Sequence, residues 1–237
     1  MKRDNQLALS VQLPDDETFD SFIGETNITV ASILADFVKS DVTDQNTNSF
    51  YLFGAKGVGK SHLLHAACAL AETVGKSSLC LSMAEVKYLS VELLESLESI
   101  DLICIDDIHL IADDEAWQQA IFDLFNRLKE QGKQIIITGF DAVNDIKLTL
   151  PDLQSRLSWG LIEQLKQLSD DEKLSAVQYR AVQRGLTIHL DVIKYLFNHF
   201  SRDMAVLIAY LDTLDRVSIR EQRKITIPFI KQVLPKT

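Results

Sequence analysis

The chain has 237 residues, long enough to bury a substantial core, and is 46% hydrophobic and 24% charged, which argues against wholesale disorder. Acids outnumber bases 34 to 24, a formal charge of −10, and a field of that sign repels phosphate backbones and disfavours extensive direct DNA binding. No apolar run approaches the ~20 residues of a membrane helix, and Met1-Lys2-Arg3 leads into acids and amides rather than a signal core, so a cytoplasmic protein with no membrane partner is expected.

The first residues mix polar and apolar types and close at Leu13-Pro14-Asp15-Asp16, which reads as an extended tail. A helical pattern over about 29–38 and a polar stretch precede the apolar run Phe50-Tyr51-Leu52-Phe53, a buried strand. Helix is then predicted over 60–74, strand over 79–81, helix over 84–97 and strand over 102–105. A helix over 114–130 places Ile121, Leu124, Phe125 and Leu128 on one face. The Ile135-Ile136-Ile137 strand, a short helix over 150–157 and a strand over 161–165 follow. Strands alternating with helices predict an α/β fold with a parallel five-stranded sheet covered on both faces. Beyond Lys166 only helices are expected, over 170–184, 191–199, 202–217 and 227–234, forming a small all-helical part. Cys68, Cys80 and Cys104 sit in apolar surroundings without metal-ligand spacing, so reduced core thiols are expected.

Between the first strand and the second helix lies Gly54-Ala55-Lys56-Gly57-Val58-Gly59-Lys60-Ser61, a complete phosphate-loop (P-loop) pattern in its strand-to-helix context. The glycines let backbone N–H groups turn toward a phosphate, and the helix N-terminus adds a favourable dipole. Lys60 can neutralise phosphate charge and the Ser61 hydroxyl can ligate Mg²⁺; His62 follows directly and is counted with the nucleotide-binding residues. The strand Leu102–Ile105 runs into Asp106, suited to the Mg²⁺ water shell, and Asp107, suited to orienting an attacking water. Thr138 ends the next strand, where its hydroxyl could reach a terminal phosphate or that water. His109 reads as structural.

Four further segments carry a resemblance. Ser155-Arg156-Leu157-x-Trp159-Gly160-Leu161 resembles the arginine-finger segment of the DnaA/Hda family of AAA+ proteins, the bacterial replication initiators and their relatives. Thr18-Phe19-Asp20-Ser21-Phe22 resembles that family's segment beside the nucleotide base. Ser201-Arg202-Asp203-Met204 stands where the family keeps its sensor-2 arginine, and Ser201 would N-cap that helix. Gln6-Leu7-Ala8-Leu9-Ser10-Val11 is similar to the peptide with which such proteins bind the replicative sliding clamp.

The resemblance implies an AAA+ module: a tail at 1–18, an α/β nucleotide-binding domain at 19–165 and a helical lid at 166–237. It implies ADP or ATP as the ligand, with Phe19, Phe22 and Arg202 contributing to its site. It also implies DnaA and the sliding clamp as partners, with Gln6, Leu7, Leu9 and Val11 carrying the clamp contact, and self-association. The chain ends at Thr237 without room for the initiators' helix-turn-helix domain. The function expected is a negative regulator of replication initiation that presents Arg156 to ATP on DnaA, with little direct DNA binding. Its own hydrolysis is not expected to be efficient, because Asp107 reaches less far than the Glu common in motors. An autonomous AAA+ motor or loader stays open as the alternative.

Overall fold

The computed structural model describes residues 17–41 and 48–234. Five strands form one parallel sheet in the order β2-β3-β4-β1-β5: β1 Ser49–Phe53, β2 Ser78–Ser82, β3 Leu102–Asp106, β4 Gln134–Gly139 and β5 Leu161–Gln164. Every residue of β3 and β4 is buried. Alternation along the strands divides the core into two faces. Tyr51, Ile103, Ile105, Ile135 and Ile137 face one cluster, packed by α4 (Glu115–Glu130) and α5 (Pro151–Leu157). Phe50, Leu52, Leu102, Cys104 and Ile136 face the other, packed by α1 (Ile28–Lys39) and α2 (Lys60–Thr73). Runs of Leu and Ile without polar interruption are what a strand covered on both sides requires.

One expected element is corrected. In place of a helix over 84–97 there is a single turn, α3 (Met83–Val86), and two 3₁₀ turns at Val91–Leu94 and Leu97–Ser99. Ser90 accepts from the Glu92 N–H and Ser96 adopts a left-handed φ of 61°, so short serine turns compete with continuous helix there. Leu94 still reaches the core.

Residues 170–234 hold four helices, α6 (Asp170–Gln183), α7 (Leu190–His199), α8 (Met204–Glu221) and α9 (Ile227–Val233), around a third cluster that includes Val177, Leu196, Leu207, Leu211 and Phe229. α6 opens on a capping box: Ser169 accepts from the Glu172 N–H while the Glu172 carboxylate accepts from the Ser169 N–H. The same carboxylate accepts from the Thr26 N–H and hydroxyl, which ties this junction to the segment before α1. α8 begins later than expected. Its N-cap is Asp203, which accepts from the Val206 N–H, whereas Ser201 accepts only from the Asp203 N–H. The thiols of Cys68 and Cys104 are buried 3.7 Å apart, and Cys80 is half-buried beside them. Among the described residues no helix is long and apolar enough to cross a membrane.

Candidate nucleotide site

β1, α2, β3 and β4 converge on one edge of the sheet, the C-terminal ends of parallel strands, where open α/β sheets bind ligands. A cleft of about 770 Å³ opens there between the loop after β1 and helices α6 and α8. That volume suits a nucleotide-sized ligand. One end is lined by Lys56, Gly57, Val58, Gly59, Lys60, Ser61, His62, Asp107 and His109; Phe22, Ile23, Leu168, Met204 and Ile208 supply an apolar wall.

Gly59 N-caps α2 at φ 103°, a left-handed conformation that L side chains rarely adopt, and a Cβ there would lie 2.6 Å from the Phe22 ring. The loop therefore presents bare backbone at a helix N-terminus, an arrangement suited to an anion. Lys60 folds across it, its buried Nζ donating to Gly54 O at 2.8 Å and Ala55 O at 3.2 Å. Burial lowers the lysine's pKa, and the Asp107 and Asp106 carboxylates act in the opposite sense.

Asp106 is buried and doubly bound. Ser61 donates to its Oδ2 at 2.6 Å and Thr138 to its Oδ1 at 2.5 Å. Thr138 in turn accepts from the Asp107 N–H at 2.9 Å, locking the ends of β3 and β4 together. Asp107 sits at φ 59°, a costly conformation for a non-glycine residue and one that clusters at functional sites. Its pKa is raised by burial and by Asp106, against Lys60 and His109. A hydroxyl beside a carboxylate in this geometry fits Mg²⁺, which binds through one or two protein oxygens plus phosphates and water. His109 lies in the cleft, with Nδ1 3.8 Å from Asp107 Oδ1 and its ring near Phe140.

His62 anchors the cleft wall. Arg180 of α6 donates to its Nδ1 at 2.7 Å, which leaves Nε2–H to donate to Thr18 O at 2.8 Å. Arg180, 6% exposed, also pairs with Glu17 at 3.0 Å. Burial would raise the Glu17 pKa, but bonds from His65 and Arg180 hold it down to about 2. The same bond raises His65. Sequence reading missed Glu17 and Arg180. The available signal was an arginine inside the apolar stripe of Ala176, Val177 and Ala181.

The remaining expected site residues divide. Phe22 lines the cleft and packs edge-on against His62, but Phe19 packs into the core beside α1 and α2 and does not line it. Ile208 of α8 also lines the cleft. Arg202 precedes α8, is exposed, pairs with Asp170 at 2.7 Å and does not line the cleft. Arg180 of α6 is, with Lys60, a buried cation that lines the cleft. Arg156 lies in the last turn of α5, outside the cleft, its guanidinium 4.0 Å from the centre of the Trp159 ring and 5.6 Å from that of Phe122. It pairs with no acid among the described residues, and its Nε is buried without a hydrogen-bond partner. Gln6, Leu7, Leu9 and Val11 lie outside the described residues.

Residues 13–164 match the family of bacterial DnaA ATPase domains. The chain belongs to the DnaA family. Residues 170–234 match the Hda lid domain, so this is a DnaA-related AAA+ protein with a helical lid of the Hda type. Its fold is shared with domain III of DnaA from Thermotoga maritima, at TM-score 0.77 and 18% identity over 94% of this chain and 97% of that one. AMPPCP-bound DnaA from Aquifex aeolicus matches at TM-score 0.68 and 24% identity, over 89% of this chain and 70% of that one. A RuvB protein of Thermotoga maritima, more distant at 16% identity and TM-score 0.63, covers 93% of this chain and 71% of its own.

Proposed function

We propose that this chain is a nucleotide-binding negative regulator of replication initiation, which presents Arg156 to ATP held by DnaA and raises DnaA's hydrolysis, leaving it in the ADP form. The observation that carries this reading is the state of Arg156. It stands outside the chain's own cleft, is partly buried and bonds to no carboxylate among the described residues, so its terminal guanidinium nitrogens are available to an anion on another subunit. A guanidinium is always charged and offers planar donors that match phosphate oxygens. Supplied in trans to a transferring phosphoryl group, such a residue typically accelerates hydrolysis by ~10³–10⁵.

The chain's own adenine nucleotide, ADP or ATP with Mg²⁺, would be held by the loop backbone, Lys60, Ser61 and Asp106, with Phe22 and the apolar wall receiving the base. Bound there, it would supply a charged ligand that joins the sheet to the lid. The Gln6–Val11 peptide would bring the protein to the sliding clamp on DNA, and the acidic surface is compatible with reaching DNA through that partner. The test is a reconstituted reaction of ATP-loaded DnaA with clamp loaded on DNA. Wild-type protein should accelerate conversion to ADP, and Arg156→Ala should lose most of that effect while keeping nucleotide affinity and clamp binding. Undiminished stimulation by Arg156→Ala would refute the reading.

The intact Ser61–Asp106–Thr138 network with Asp107 beside it favours a second reading, an AAA+ ATPase that acts by itself as a motor or loader. Nucleotide turnover by the isolated protein separates the two: rapid turnover without DnaA supports the motor.

A further inference from the structure

Arg156 is not the only cation on its indole. Lys129, in the last turn of α4, places Nζ 4.1 Å from the centre of the Trp159 ring, as close as the Arg156 guanidinium at 4.0 Å. Two positive charges thus lie within about 8 Å of each other on one aromatic side chain that is 45% exposed. Neither cation is neutralised by a described residue. Among the described residues Lys129 has no side-chain hydrogen bond or ion pair, and Arg156 has none either, although acids outnumber bases in this chain by 34 to 24. Asp152 stands one helical turn before Arg156, the spacing that favours an ion pair, yet it makes none. Cation–π contact holds both groups instead. The C-terminal ends of α4 and α5 help tolerate the pair, since helix C-termini carry partial negative charge. Paired cations without a counter-charge, ordered on a rigid ring, are arranged for an anion that arrives from outside.

We propose that Lys129, Trp159 and Arg156 form one anion-receiving module, in which Trp159 positions the cations and Lys129 supplies a second positive charge to the same phosphate-bearing ligand on the partner. This rests on the in-trans reading of Arg156. Trp159 is a positioning residue: its π face fixes the guanidinium plane without consuming a hydrogen-bond donor, which a carboxylate partner would do. Lys129 acts as a compact point charge that adds electrostatic stabilisation but no fork geometry.

The experiment is the same reconstituted hydrolysis by DnaA, measured as a function of regulator concentration for Arg156→Ala, Lys129→Ala, Lys129→Arg, Trp159→Phe, Trp159→Leu and the Trp159→Leu/Arg156→Ala double variant. Trp159→Leu keeps apolar bulk but lacks a π face, so it should lower the maximal stimulated rate by roughly 3–30-fold, the range of one cation–π contact, with little change in half-saturating concentration. Trp159→Phe should retain most of the rate. Lys129→Ala should also lower the maximal rate, and Lys129→Arg should restore it. The double variant should be no slower than Arg156→Ala alone, because Trp159 acts through the arginine. Nucleotide affinity and thermal midpoint report the fold of each variant. Loss of stimulation in Arg156→Ala with wild-type rates in Trp159→Leu and Lys129→Ala overturns the module alone. Equal, additive losses from Trp159→Leu and Arg156→Ala also overturn it. Full stimulation by Arg156→Ala overturns both the module and the reading beneath it.

Discussion

Two side chains show what single residues contribute here. Lys60 is buried against the loop carbonyls, with two carboxylates nearby that favour its charge. Its ammonium is held where a phosphate charge would be met, and its removal deletes little apolar packing. Lys60→Ala should weaken nucleotide binding by roughly 10–100-fold, the scale of one charge-assisted hydrogen bond, with the fold retained; calorimetric titration and circular dichroism check the two halves. Glu17 makes a different kind of contribution. Its pKa is depressed to about 2, so its stabilisation is complete above about 4.5 and is lost as pH falls toward 2. His65, raised by the same bond, stabilises fully below its ordinary 6.5 and loses that contribution as pH rises through the elevated value. The stability difference between wild type and Glu17→Gln should therefore peak near pH 5–6, at about 3 kcal/mol, and shrink on both sides. Urea unfolding across pH 2–9 measures it; a gap that does not vary with pH would show that the Glu17–His65 bond is not formed.

At the scale of elements, the loop before α2 depends on a backbone position as much as on any side chain. Gly59→Ala combines a left-handed φ of 103° with a Cβ 2.6 Å from Phe22, and the ring cannot withdraw freely because it also packs on His62. The variant should lose about 1–3 kcal/mol of stability and bind nucleotide more weakly, as thermal denaturation and titration would show. This loop was legible in the sequence because glycine spacing, the preceding apolar strand and the following helix all require one another. The strands were legible for a related reason: Leu102–Ile105 and Ile135–Ile137 are apolar without interruption because both sheet faces are covered. Legibility failed where local signals compete. The serines after Val86 divert the backbone into 3₁₀ turns although the apolar spacing there suits a helix. Ser201 was the expected cap of α8, but Asp203, two residues later, takes that place through its bond to the Val206 N–H. Arg180 escaped notice because its partners, Glu17 and His62, are far away in the chain and meet it only after folding.

At the scale of the whole molecule, the cleft is shared by the sheet edge and the lid, and Arg180 joins them. It reaches from α6 to Glu17, at the start of the described chain, and to His62, one turn into α2 from the phosphate loop. Glu172 makes a parallel tie from the α6 N-terminus to Thr26, but that one lies at the surface and is open to solvent competition. Removing Arg180 takes one hydrogen-bond partner from the Glu17 carboxylate, which keeps His65, and one from His62, and breaking a buried pair in this way costs about 3 kcal/mol. The sheet core does not depend on this contact, because its two apolar clusters close independently of α6. Arg180→Ala should therefore loosen the lid rather than unfold the molecule. Amide exchange should accelerate in residues 17–24 and in α6, while β1, β3 and β4 remain protected. Nucleotide affinity should fall with it, since the apolar wall from α8 would no longer be held over the loop. Arg180→Lys should restore little, because one ammonium cannot reproduce the planar set of donors that serves both Glu17 and His62. Unchanged exchange in residues 17–24 would mean that the lid is held to the sheet by other contacts, and that Arg180 contributes packing alone.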